Sequence, residues 1–447
     1  MSVQNVRARD SKENKVERCS ICNKEILNVN DLGMPAMDGN RSGMCPTCSK
    51  AWLIGMRAGM EKKDVPNDVD QRYVDQYERI SKFDMTPREI ISELDSRIVG
   101  QEDAKRSLSL ATRRHYRRAQ VRMIGEDERA DEMPKENILL IGPTGSGKTF
   151  LSQNISKIVG VPFWRQALTS FTEAGYVGSD VENLLSSLLI SSGRMTKLAE
   201  SGILFLDEVD KKARRTTDHM GSPRDVSGVG VQQALLEMCD SKGAIVNVSV
   251  TGANSKGHPM RVTTPVNTRD IMFIFSGAFS DGLSDIIAKR LGKKKRIGFS
   301  GEMRDVDLIM EEADILHEVQ HEDLEEYGFI TEFCGRLGMI VTLDPLSQVD
   351  MKKIMLDIDG SVIKRLQLLA DVEGFKLEFT DEAIDEIVGR CYRSGMGARR
   401  LSSMCVQCTE HIFLDLPDRV RDRKGKKKIS VKVTDETVKD PSSFEVS

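Results

Sequence analysis

The sequence predicts an α/β protein: a large domain on a parallel sheet, a smaller mixed α/β domain after it, and a short cysteine-bearing module in front. Three observations carry this reading. Short apolar runs, Asn137-Ile138-Leu139-Leu140, Ile203-Leu204-Phe205-Leu206 and Ile271-Met272-Phe273-Ile274-Phe275, alternate with stretches of helical periodicity, as buried strands of a parallel sheet do. Beyond Pro345 the helical period dominates through Ile412 and gives way to the alternating Lys428-Ile429-Ser430-Val431-Lys432-Val433, a strand. Two Cys-x2-Cys pairs fall within the first fifty residues.

The elements follow in chain order. Cys19, Cys22, Cys45 and Cys48 form two knuckles separated by 22 residues, a spacing suited to one structural, tetrahedral Zn2+ per subunit in a treble-clef-like module over 1–60. So short a module has little core, and zinc, worth about 10–16 kcal/mol in finger peptides, would supply most of its folding free energy. Disulfides are the rival, and a cytoplasmic setting disfavours them. Residues 61–85, charged and interrupted by Pro66, read as a linker. Thr86-Pro87-Arg88-Glu89 is a helix start, with a Thr cap, Pro at the first helical position and an acid in the first turn. The large domain is expected over 86–343, the small one over 344–434 and a flexible tail over 435–447. Of the remaining cysteines, Cys239, Cys334 and Cys391 read as single buried thiols, and Cys405 and Cys408 lie in a helical pattern with no second pair to complete a site.

At 447 residues the chain is too long for one core. Its net charge of −4 offers no whole-protein attraction to nucleic acid, and the basic runs at 113–118, 293–296 and 423–428 read as solvated faces or loops. No apolar stretch approaches the roughly twenty residues that span a bilayer, and the polar first eighteen residues carry no export signal. A soluble, cytoplasmic protein without nucleic-acid or membrane partners is expected.

Two motifs carry chemistry. Gly142-Pro143-Thr144-Gly145-Ser146-Gly147-Lys148-Thr149 follows the first apolar run, so a buried strand feeds a glycine-rich loop and a helix begins near Thr149, continuing through Phe150. Glycines let the backbone wrap phosphate oxygens, Lys148 reaches the β/γ-phosphates, and the Thr149 hydroxyl suits Mg2+. This pattern predicts binding of ATP or a similar nucleotide. About sixty residues later the second apolar run ends in Asp207-Glu208. Asp207 can hold the Mg2+ shell and Glu208 can polarise a water for attack on the γ-phosphate, which predicts hydrolysis.

Taken with these motifs, the chain resembles the AAA+ protein unfoldases over nearly its whole length, and within them those that serve the ClpP peptidase. The resemblance implies several further assignments. Ile98-Val99-Gly100-Gln101-Glu102 is similar to the stretch that packs around adenine, which brings in Val99. Gly175-Tyr176-Val177-Gly178 is similar to the pore loop that grips polypeptide, Tyr176 and Val177 being its paddle. Glu332-Phe333-Cys334-Gly335-Arg336-Leu337 resembles the box with an arginine finger acting in trans. Gly397-Ala398-Arg399-Arg400-Leu401 resembles the segment with the sensor arginine, Arg399. Ile297-Gly298-Phe299 resembles the loop that docks on ClpP. The implied protein is a homohexameric, ATP-driven unfoldase that threads tagged or unfolded proteins into ClpP, with adaptor proteins engaging the zinc module. The alternative is a remodelling chaperone that acts without a peptidase.

Departures from the family pattern are specific. Lys256-Gly257-His258 stands where the family has Arg-Lys-His, which bears on tag preference. The stretch 214–219 also differs, and Gly338 replaces a proline. His317-Glu318-Val319-Gln320-His321 fits the zinc-protease pattern His-Glu-x-x-His, but its acidic flanks predict a polar helix unsuited to a shielded catalytic zinc.

Overall fold

The computed structural model describes residues 17–18, 25–26, 71–171, 177–213, 227–253, 259–292, 306–358, 360–395, 397–422 and 429–446. The first helices are α1 (Gln71–Ser81), α2 (Pro87–Asp95) and α3 (Glu102–Met123). There follow β1 (Asn137–Ile141), α4 (Lys148–Val159), β2 (Phe163–Ala167), α5 (Val177–Ser191), β3 (Ile203–Asp207) and α6 (Ser227–Cys239). A hairpin of β4 (Ile245–Ala253) and β5 (Pro259–Asn267) precedes β6 (Met272–Gly277), α7 (Leu283–Arg290), α8 (Val306–Leu316), α9 (His321–Tyr327) and β7 (Leu337–Thr342).

The large sheet has the order β2-β3-β6-β1-β7 and every pairing in it is parallel. Strands β1, β3 and β6 are buried at every position, which is why they read as continuous apolar runs. Alternation still sorts their side chains. Leu139, Leu204, Leu206, Phe273 and Phe275 join one core, while Ile138, Leu140, Ile203, Phe205 and Ile274 join the other. Parallel strands deliver all their C-terminal ends to one edge, so the loops after β1, β3 and β6 meet there.

A third core belongs to the C-terminal elements, α10 (Gln348–Leu356), α11 (Val362–Glu373), β8 (Phe375–Phe379), α12 (Asp381–Arg393), α13 (Ala398–Asp422), β9 (Ile429–Val433) and β10 (Glu445–Val446). Here β8 pairs parallel with β9, and β9 antiparallel with β10.

The helix start at Thr86 is a full capping box: Thr86 Oγ1 accepts the Glu89 N–H at 3.3 Å, and Glu89 accepts the Thr86 N–H at 2.7 Å. Two stretches differ from expectation. Part of the presumed linker is α1, whose Ile80 is fully buried and whose end is held by Gln120, which donates to the Ile80 and Phe83 carbonyls at 3.0 and 2.7 Å. Its charged residues masked an apolar pair three apart, Tyr77 and Ile80, that packs on the core. Likewise 435–446 is no loose tail, because a Thr434-capped helix at Asp435–Lys439 buries Val438 and Thr437, and β10 extends the small sheet.

Candidate nucleotide site

The phosphate loop is shaped by its glycines. A Cβ on Gly142 would lie 2.6 Å from the Leu343 carbonyl oxygen, so only glycine lets the chain leaving β7 pass this close to the end of β1. Gly145 and Gly147 have φ of +84° and +98°, in the left-handed region that L side chains avoid. Gly147 turns directly into α4 at Lys148, and the first turn of that helix offers backbone N–H groups to an anion. The Lys148 ammonium donates to the Gly142 and Pro143 carbonyls at 2.6 and 2.9 Å. Burial lowers its pKa to about 8, against the opposing pull of Asp207 and Asp210. The Ser146 hydroxyl is buried with no hydrogen-bond partner among the described residues. This cradle of loose donors and positive-φ glycines fits a polyphosphate.

The acidic pair closes the other wall. Asp207 ends β3 and Glu208 takes a left-handed φ of +59°, which turns its carboxylate out of the strand line. Glu208 Oε2 accepts the Thr169 hydroxyl at 2.6 Å. Asp207 Oδ2 accepts the Arg165 guanidinium at 2.7 Å, and its Oδ1 accepts the Glu208 N–H at 3.1 Å. Both partners come from β2 and the turn after it. β2 runs in register with β3, Ala167 lying opposite Asp207. Neither Arg165 nor Thr169 stands in a motif, and only the pairing of β2 with β3 reveals them. Asp210, a turn later, is raised by burial and accepts the Phe279 N–H at 3.2 Å. The hard oxygen donors of Thr149 and Asp207 fit Mg2+ beside a triphosphate.

Val99, Thr144 to Phe150, Asp207, Glu208 and Arg399 all line one cleft of about 1270 Å³. Ile98, Leu346, Ile354, Ile358 and Val362 line it too and give it an apolar end suited to a base. The large and small units meet here. Gly397 (φ +60°) sits so close that an added Cβ would be 2.9 Å from Gly145 O, and the Ala398 N–H reaches that oxygen at 3.4 Å. Arg399 therefore enters the cleft from the first turn of α13. Gln101, which the resemblance placed in the adenine stretch without a role of its own, sits at φ +63°. Its amide donates to Asp344 O (2.8 Å) and Ser146 O (3.3 Å), and its oxygen accepts the Asp344 N–H (3.0 Å), tying the phosphate loop to the chain leaving β7.

Arg336 is not in this cleft. It precedes β7 at the N-terminal edge of the sheet, where the Asn137 amide donates to its carbonyl at 2.7 Å. The phosphate loop lies at the other end of β1, about 13 Å along the strand. The Arg336 guanidinium pairs with Asp240 at 2.7 Å and is about half exposed. Lys135, partly buried under that corner, donates to the Met238, Thr268 and Asp240 carbonyls at 2.7, 2.9 and 3.3 Å and so pins the turn that carries Asp240.

Cys19, Cys22, Cys45, Cys48, Tyr176, residues 214–219, Lys256, Gly257, His258 and Ile297, Gly298 and Phe299 lie outside the described residues. Val177 opens α5, and β4 and β5 flank 254–258. Cys239, Cys334, Cys391, Cys405 and Cys408 are buried free thiols. The His-Glu-x-x-His run is not the single helix expected, for α8 ends at Leu316 and α9 begins at His321. His317 engages Asp344 and Thr342, each at 2.7 Å, and His321 the Leu337 carbonyl at 3.0 Å. No helix among the described residues is long and apolar enough to cross a membrane.

Comparison with known proteins agrees with this geometry. The AAA domain (Cdc48 subfamily) family matches residues 133–340, and the C-terminal, D2-small domain of ClpB protein matches residues 346–411. Two relatives from strains of Porphyromonas gingivalis, one of them W83, are each described as the ATP-dependent Clp protease ATP-binding subunit ClpX. Each is 35% identical over 423 residues, covering 94% of this chain and 95% of the relative.

Proposed function

The chain belongs to the ClpX family of AAA+ ATPases and hydrolyses ATP, and we propose that it spends that hydrolysis on unfolding proteins, as a homohexamer, and passing them to the ClpP peptidase. The observation that supports this most is the cleft in which the phosphate loop, Asp207, Glu208 and Arg399 converge from two separately cored units. A site built on such a seam changes shape when its ligand changes, and that is how hydrolysis becomes motion.

Lys148 and the N-terminus of α4 bind the β- and γ-phosphates. Thr149 and Asp207 would hold Mg2+, which would supply charge neutralisation to the phosphates. Glu208, oriented by Thr169, takes a proton from the attacking water. Arg399 answers to the γ-phosphate from the small unit, and Arg336, held by Asp240 away from its own cleft, serves a neighbour's nucleotide. That division requires a ring. Tyr176 and Val177 grip the substrate, Ile297 to Phe299 dock on ClpP, and Cys19, Cys22, Cys45 and Cys48 hold a structural zinc in a module that receives adaptors.

The test is ATP-dependent loss of a tagged fluorescent protein with and without ClpP. Degradation to peptides only when ATP, this protein and ClpP are all present supports the reading. Unfolding without any binding to ClpP would make the protein a stand-alone remodeller. Peptide release by the protein alone would point to an intrinsic protease.

A further inference from the structure

The edge strand β2 places a cation beside the acidic pair. Arg165 leans along the strand towards its C-terminal end and lays its guanidinium 2.7 Å from Asp207 Oδ2. Its side chain is 47% exposed and lines the same cleft as Lys148, Thr149 and Glu208, whereas Asp207 is 12% exposed. The other Asp207 oxygen already accepts the Glu208 N–H. The carboxylate is thus oriented, and its charge balanced, before a divalent cation arrives. Metal drawing on Asp207, directly or through water, competes with the guanidinium for the same negative charge.

We propose that Arg165 is a positioning residue that holds Asp207 in the metal-free site and yields it to Mg2+, so that it sets how much Mg2+ the site requires. This rests on the reading of the cleft as a Mg2+-nucleotide site. The planar guanidinium is suited to the part, because it fixes the carboxylate's direction as well as its charge, which an ammonium does less well. Because the guanidinium is about half exposed, its loss changes metal affinity modestly and leaves the fold intact.

The experiment uses the full chain and a fluorescent ADP analogue, titrated with Mg2+ in chelator-buffered solution. Arg165→Met is expected to lower the half-saturating Mg2+ by about threefold to fivefold, the range of a charge pair with one partner open to solvent. Binding without metal should stay within about twofold of wild type, and Arg165→Lys should return the Mg2+ requirement part of the way. The thermal midpoint checks that both variants are folded. An unchanged or raised Mg2+ requirement in the methionine variant would overturn the proposal. So would a marked loss of metal-free affinity, which would make Arg165 a phosphate contact. Failure of the wild type to bind nucleotide at all would overturn the cleft assignment and the proposal with it, a result distinct from the first two because they leave wild-type binding intact.

Discussion

Gly397→Ala probes the seam between the two units more directly than removal of any charged group. Gly397 has φ +60°, and its missing Cβ would sit 2.9 Å from Gly145 O and 3.0 Å from that residue's carbonyl carbon and Cα. Alanine in the left-handed region costs about 1–2 kcal/mol, and forcing a methyl against backbone adds about 1–3 kcal/mol. The chain can escape most of this by lifting the start of α13 off the phosphate loop, since the small unit keeps its own core. That movement breaks the Ala398 N–H contact with Gly145 O and withdraws Arg399 from the cleft. If about 2 kcal/mol of the strain is expressed as separation, nucleotide affinity falls by roughly thirtyfold. Fluorescent nucleotide binding measures it, with steady-state ATP turnover alongside. Gly389→Ala is the control: Gly389 lies within α12 with nothing within 4 Å of its missing Cβ, so alanine should bind normally and stabilise by about 0.5–1 kcal/mol. Wild-type affinity and turnover in Gly397→Ala would refute the claim that this contact completes the site.

Other outcomes follow from the same account. Lys148 is lowered to about 8 by burial, so in the free protein it loses its proton as pH rises through that value, and only the charged form attracts phosphate. Nucleotide affinity should therefore hold below pH 7 and fall about tenfold between pH 7 and 9, a drop that Lys148→Ala, already weak, should not show. Removing residues 1–60 should leave a folded ATPase without zinc while the intact chain carries one zinc per subunit; undiminished metal in the truncated form would place zinc elsewhere. Tyr176→Ala should continue to hydrolyse ATP and bind ClpP but fail to unfold a stable tagged substrate, and normal unfolding by it would remove Tyr176 from the pore-loop role.

What the sequence made legible was local. Gly142 to Thr149 and Asp207-Glu208 are contiguous, and each sits at the end of a buried strand, so strand pattern and motif together were enough to bring them to one sheet edge. Arg399 was legible only through resemblance, because a lone arginine after Gly397-Ala398 carries no chemistry until α13 is seen to start against Gly145. Arg165 and Thr169 were not legible at all, and Gln101 was named only as part of the stretch similar to one that packs around adenine, without its contacts. Their roles come from strand register and from contacts across 42, 39 and 243 positions in the chain, which no local pattern encodes. The helix α1 and the packed segment 435–446 were missed for another reason: both are rich in charge, and very few buried side chains, Ile80 with Tyr77 beside it in one and Val438 with Thr437 in the other, are enough to seat them.

The central claim is that hydrolysis in this cleft drives unfolding, and Glu208→Gln tests it on one preparation. The amide keeps the size of the side chain and can still meet Thr169, but it cannot take a proton from water. Nucleotide binding, ATP turnover and loss of fluorescence from a tagged fluorescent protein are measured together. The account predicts wild-type binding, turnover reduced by about 10²–10⁴-fold and no unfolding. Turnover or unfolding at the wild-type rate in Glu208→Gln would contradict it.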